Sequence, residues 1–154
     1  MTSSIVGGPV SAGAWTAIQK GTGAIDISSI PTGYKFLRLI ALSNADQNQV
    51  LKLNHDAGAN YYVAYNSGTQ DVATTGPKLW DRGVNTVVAL VSIDIINIPT
   101  ARKLAYAEVT TYETIAHKVC QTSTAITWTN ATDEINRIEV DGTPVYWALF
   151  GAAL

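Results

Sequence analysis

The chain has 154 residues, of which 47% are hydrophobic and only 14% charged, and its net charge is −2. That length suits one domain able to bury its own core. The charge balance argues against a nucleic-acid backbone, which clustered Lys and Arg must neutralise, and offers no polybasic patch to an anionic membrane. A charged fraction well under the ~25% typical of soluble domains leaves few solvated faces, which favours a protein packed against copies of itself or other subunits.

Residues 1–14 carry no charged side chain and are broken by Gly7, Gly8, Pro9 and Gly13, so they read as an extended N-terminal arm. Ile5, Val6, Pro9 and Val10, with Trp15 just beyond, give that arm something to bury on a neighbouring subunit. Short strands are expected over 14–20 and 24–27, split by Gly21-Thr-Gly23, and a longer one over 34–43 with Leu37, Leu39 and Ala41 on one face. Leu51-Lys-Leu-Asn-His-Asp-Ala-Gly-Ala-Asn-Tyr-Tyr-Val-Ala-Tyr65 reads as strand, tight polar turn, strand, a hairpin at the centre of the chain. Residues 66–85 show no period and read as a long functional or intersubunit loop holding Trp80.

The run 86–98 is the most apolar and strongly β-branched, and Pro99 closes it as a strand. Residues 103–112 alternate Leu104 and Tyr106 against Lys103, Ala105 and Ala107. Further strands are expected over 125–129, 135–140 and 145–150, the last two joined by Asp141-Gly142 as a hairpin. Eight to ten strands with turn signals between them predict an all-β fold: a single antiparallel β-sandwich over 15–154, jelly-roll-like.

Little in the chain points to chemistry. No nucleophile elbow, phosphate-binding loop or dinucleotide fingerprint occurs. His55 and His117 lack the spacing of paired metal ligands, and the lone Cys120, which excludes an internal disulfide, reads as a small hydrophobe within a strand. His55-Asp56 as base and orienter would point to opposite sides of a strand. Asn54-x-Asp56-x-Gly58-x-Asn60 echoes a calcium loop but has Tyr65 where the bidentate Glu belongs. The carboxylates Asp133-Glu134 and Glu139/Asp141 form no usable acid/base pattern. No cofactor, metal or enzymatic activity is expected. No run reaches the ~20 apolar residues of a spanning helix, and the N-terminus lacks a signal-peptide pattern, so a cytoplasmic origin is expected.

Several of these segments together resemble a family. Gly33-Tyr-Lys-Phe-Leu-Arg-Leu39, Asn54-His-Asp-Ala-Gly-Ala-Asn-Tyr61, Ile95-Ile-Asn-Ile-Pro99, Ile135-Asn-Arg-Ile-Glu-Val140 and Tyr146-Trp-Ala-Leu-Phe-Gly151 resemble, in this order, motifs of jelly-roll virion structural proteins of tailed bacteriophages. His55 departs from the pattern, which has Gly there. The resemblance implies a capsid decoration (cement) protein on the virion surface, made in the host cytoplasm. Its implied partners are the major capsid protein and further copies of itself, in a trimer. A rival expectation is a tail or fibre module stacking host-surface sugars on Tyr61, Tyr62, Tyr65 and Trp80.

Overall fold

The computed structural model describes residues 3–4, 14–43, 49–65, 70–73, 76–80, 86–113, 117–142 and 144–153. Their β-branched and aromatic runs form thirteen strands and, among the described residues, no helix. They are β1 (Ser3–Ser4), β2 (Thr16–Gly21), β3 (Ile25–Ile27), β4 (Phe36–Ser43), β5 (Gln49–Leu53), β6 (Tyr61–Tyr65), β7 (Gln70–Ala73), β8 (Lys78–Trp80), β9 (Thr86–Ile96), β10 (Lys103–Glu113), β11 (Lys118–Trp128), β12 (Ile138–Val140) and β13 (Pro144–Ala152).

Two antiparallel sheets result. The large one runs β1-β2-β13-β4-β9-β10-β11-β6-β7 and the small one β3-β12-β5-β8. The topology becomes plain when β2, β3, β4, β5, β8, β9, β12 and β13 are counted as strands one to eight. One sheet then pairs 1-8-3-6 and the other 2-7-4-5, the strand order of a jelly roll. The remaining strands extend it. β6 and β7 are inserted between the fourth and fifth core strands, β10 and β11 between the sixth and seventh, and all four add to the β9 side of the large sheet.

The core lies between the sheets. Leu37, Leu39 and Ala41 of β4 share its inner face with Val91, Ile93 and Ile95 of β9 and Val109 of β10. Ile25, Ile27, Leu51, Leu53, Leu79, Ile138 and Val140 meet them from the small sheet. A buried Asn97 pins one end: its amide donates to the Tyr34 carbonyl at 3.1 Å and its side-chain oxygen accepts the Ile135 N–H at 2.8 Å. Gly151 leaves the space that the buried Tyr34 ring fills, since a Cβ there would overlap that ring.

Three expectations change. The stretch 66–85 is not a structureless loop: β7 pairs with β6 and β8 with β5 inside it. The turn 54–60 is not a hairpin, because β5 belongs to the small sheet and β6 to the large one. Asp141-Gly142 likewise carries the chain from β12 to β13 in the opposite sheet. A turn signal fixes where the chain reverses but not which sheet receives it, and in a jelly roll most reversals change sheet. Of the N-terminal arm, Ser3–Ser4 and Ala14 are described, and Ser3–Ser4 pair antiparallel with Gln19 and Lys20 of the same chain.

Candidate functional site

The polar turn between β5 and β6 collects Asn54, His55, Asp56 and Asn60 and commits them to structural bonds within the chain. Asn54 and His55 adopt φ of 52° and 63°, and the Asp56 N–H closes the reversal on the Leu53 carbonyl. The Asp56 carboxylate accepts the Gly58 N–H at 2.9 Å, the Asn60 amide at 2.9 Å and the Trp128 indole N–H at 2.8 Å. Burial works to raise the Asp56 pKa, but the donors from Trp128, Gly58 and Asn60 outweigh it and hold the carboxyl below its ordinary value.

Asn54 turns away from Asp56. Its oxygen accepts the N–H groups of Asn136 and Arg137, and its amide donates to the Glu134 carbonyl. The calcium-loop echo is therefore split between a turn and a sheet-to-sheet strap. Among the described residues, no three His, Cys, Asp or Glu side chains stand close enough together to hold a metal ion.

Tyr61 belongs to the same hub. It is fully buried, its ring stacks on Trp128 at 6.5 Å, and its hydroxyl takes the Leu53 N–H at 2.9 Å while donating to the Asp56 carbonyl at 3.1 Å. Burial is the main reason its phenol is pushed up to about 12. Tyr65 is half-buried and packs against the core, so of the expected tyrosine platform only Tyr62 faces solvent.

The two outer faces differ in kind. The small sheet presents charges: Arg137 grips Asp26 through two 2.9 Å bonds and reaches Glu139 at 3.1 Å. His55 Nδ1 lies 2.8 Å from Glu139, and Lys52 pairs with Asp141 at 3.1 Å. These carboxylates are thus engaged in ion pairs. Glu134 is held below its ordinary range, first by Lys35 at 2.8 Å, against burial and with help from the Gly33 N–H. Asp133 caps a turn with Asn130 and Thr132.

The large sheet presents hydrocarbon. Thirteen large apolar side chains keep 36–69% of their surface exposed, and strand alternation puts eleven of them on this face. At ~150–250 Å² for a whole aromatic side chain and less for an aliphatic one, they expose roughly 1,000 Å² in sum across the face, interrupted by Arg38, Asp94, Ser92 and Glu108. The face is built in rows across the strands. Phe36, Ile96 and Leu104 stand side by side, and the next row carries Phe150, Arg38, Asp94 and Tyr106. Ala125 and Ala64 continue that second row toward the sheet edge.

The small alanines leave a floor, and the surrounding side chains wall a groove of about 780 Å³ lined by Trp15, Tyr62, Leu104, Tyr106 and Arg102. A second groove of about 530 Å³ lies between Leu42, Leu90, Tyr146 and Phe150. Arg38 and Asp94 form a two-point ion pair, with the second bond at 2.8 Å, and the Trp15 ring lies 5.1 Å from the guanidinium. That hydrogen-bonded carboxylate raises Arg38 above its ordinary value.

Of the expected contact residues, Trp15 is on this face and 48% exposed. Ile5, Val6, Pro9, Val10 and the Trp80 side chain lie outside the described residues, although the Trp80 backbone ends β8 opposite Gln49. Sequence reasoning did not place Leu90, Leu104, Tyr106 or Tyr146 among the contact residues. The available signal was two-sided hydrophobicity: β4 and β9 are apolar at odd and even positions alike, a pattern that calls for cover on both faces. His117 closes the β10–β11 turn beside the Tyr112 hydroxyl at 3.2 Å, and Cys120 sits half-buried within β11. No family model, curated protein or solved structure matches this chain.

Proposed function

We propose that this chain is a non-enzymatic structural protein of a tailed-phage particle, a capsid decoration protein that binds the outside of the coat lattice and stabilises it. The observation that carries the reading is the outer face of the large sheet, roughly 1,000 Å² of exposed apolar side chain. That exceeds the ~800 Å² that each partner contributes to a standard interface. The motif resemblance and the jelly-roll strand order supply the context. The Trp15–Tyr62–Tyr106 groove is the seat for the coat protein: aromatic anchors, flanked by Arg102 and the closed Arg38–Asp94 pair, are the composition of an interface centre. Many copies, each bound modestly, add up to resistance against internal pressure. The virion surface is then the site of action and the host cytoplasm the site of synthesis.

Counting this chain against the major coat protein in purified particles tests the reading. Hundreds of copies at a fixed ratio support a lattice-wide role. A handful moves the protein to the tail, and absence from the particle removes the virion assignment.

A second reading has one observation in its favour. Trp15, Tyr62 and Tyr106 around the polar groups of Arg38, Asp94 and Arg102 also suit a sugar chain, as in a tail or fibre module. Binding on a glycan array that Tyr106→Ala abolishes would favour it.

A further inference from the structure

The same large-sheet face has to be covered, and its chemistry restricts the cover. A contact that laid this apolar face on the ion-paired outer face of the small sheet would strip those charges of water. A two-fold contact lays it on itself, matching hydrocarbon with hydrocarbon.

We propose that two copies of this chain pack large sheet against large sheet, about a two-fold axis running along β4 between the faces. This replaces the trimer expected from the resemblance and rests on the reading of the face as an assembly surface. The charge pattern supplies the independent support. One row across the sheet reads Lys20, Ala148, Ile40, Ser92, Glu108. Lys20 and Glu108, both exposed, lie two strands to either side of Ile40 on β4, and neither has an ion-pair partner among the described residues.

Rotation about β4 exchanges positions equally far on its two sides and keeps each row in register. Lys20 of each copy therefore meets Glu108 of the other, twice over, across the ~10 Å between stacked sheets, a gap their combined side chains span. Tyr146 and Leu90 stand one strand to either side of Leu42, so each projects onto the other across the interface. Arg38 falls near the axis with Asp94 already closed on it, so each copy brings a neutral pair and no bare charge. The overlap covers β13, β4, β9 and β10 and with them the Leu104 and Tyr106 walls of the aromatic groove, so this dimer is the free form of the chain and the coat displaces the second copy when it takes that seat.

The test uses the isolated full-length chain in sedimentation equilibrium, with a thermal melt of each variant to establish folding. The wild type is expected to be a dimer at micromolar concentration. Lys20→Glu or Glu108→Lys alone weakens dimerisation by about tenfold or more, and the two reversals in one chain restore it. Leu90→Glu gives a folded monomer. A wild-type monomer or trimer overturns the pairing, as does a double reversal no tighter than either single one. Particle copy number is read separately, so a monomer still found at hundreds of copies per particle discards the dimer and leaves the decoration reading in place.

Discussion

The two outer faces of this sandwich follow the same alternation rule, yet one is hydrocarbon and the other is salt. Every described ion pair of the small sheet closes within the chain, as Arg137 does on Asp26 and Glu139. Such a face meets water at no cost. The large sheet buries the smaller side chains of β10 inward (Ala105, Ala107, Val109) and turns Leu104 and Tyr106 outward. The contrast teaches that hydrophobicity in this chain reports two surfaces: a core between its own sheets and an exposed face that, on the proposed reading, another molecule covers.

The largest effect separates neighbours on a single strand. Val109 is fully buried and Leu104 half-exposed. Val109→Asp places an unpaired carboxylate in the core and is expected to cost more than about 4 kcal/mol, enough to unfold the domain. Leu104→Asp is expected to change the stability of the isolated chain by less than about 1 kcal/mol while abolishing binding to particles that lack this protein. Denaturant melts and a particle pull-down read the two. A collapse of stability in Leu104→Asp would mean that the outer face is part of the fold and would erase the distinction.

Next in size is the turn hub. Asp56→Ala strands the buried indole N–H of Trp128 and frees Gly58 and Asn60, for an expected loss of about 2–3 kcal/mol. The same residue gives the pH dependence its sign. The folded-state pKa of Asp56 lies below the ordinary carboxylate value, so its contribution is complete above that ordinary value, near pH ~4, and is lost as pH falls through the folded one. Glu134, lowered chiefly by Lys35, acts in the same direction. Stability is therefore expected to fall on acidification below pH ~4, and Asp56→Ala to flatten that fall in urea melts. An unchanged acid limb would remove Asp56 from the hub.

A smaller effect tests the position at which the chain departs from the motifs it resembles. His55 occupies a φ of 63°, where Gly carries no Cβ penalty. His55→Gly gives up an exposed contact with Glu139 and relieves a strain of order 1 kcal/mol, so a gain of about 0.5–1 kcal/mol is expected in thermal melts.

These residues also show how much could be read beforehand. Alternation gave β4 and β10 and the β-branched apolar run gave β9, while of β11 only its last residues were expected as strand; Leu37, Leu39 and Ala41 do share the buried face of β4. The motifs behind the resemblance proved to be structural: the Gly33-Tyr34 turn, Asn97 and Ile135 meet through the two hydrogen bonds of one buried amide. Sheet membership was not legible. Nothing local in Asn54–Asn60 distinguishes a hairpin from a crossing, because the decisive bonds run from Asn54 to residues 134–137, some eighty positions away. Nor could the orientation of β10 be read. Hydrophobicity would bury Leu104 and expose Lys103, yet Lys103 is buried and donates to the Ala101 carbonyl at 2.7 Å. Burial pulls its pKa down, against the nearby Asp133 and Glu134.

The smallest expected effect completes the comparison. Lys52→Ala removes one partly exposed pair from the small sheet, where Asp141 is 55% exposed and water replaces the lysine readily. Exposed pairs of this kind contribute little and are screened by salt, so a change within about 0.5 kcal/mol is expected, with neither self-association nor particle binding altered. Lys20→Ala makes the same one-unit change at the surface of the other sheet, and there it is expected to weaken dimerisation by about threefold or more. Equal effects of the two substitutions on association would mean that the charged and apolar faces are equally engaged. Charge on this molecule would then act only through its overall sum, and no longer through the face that displays it.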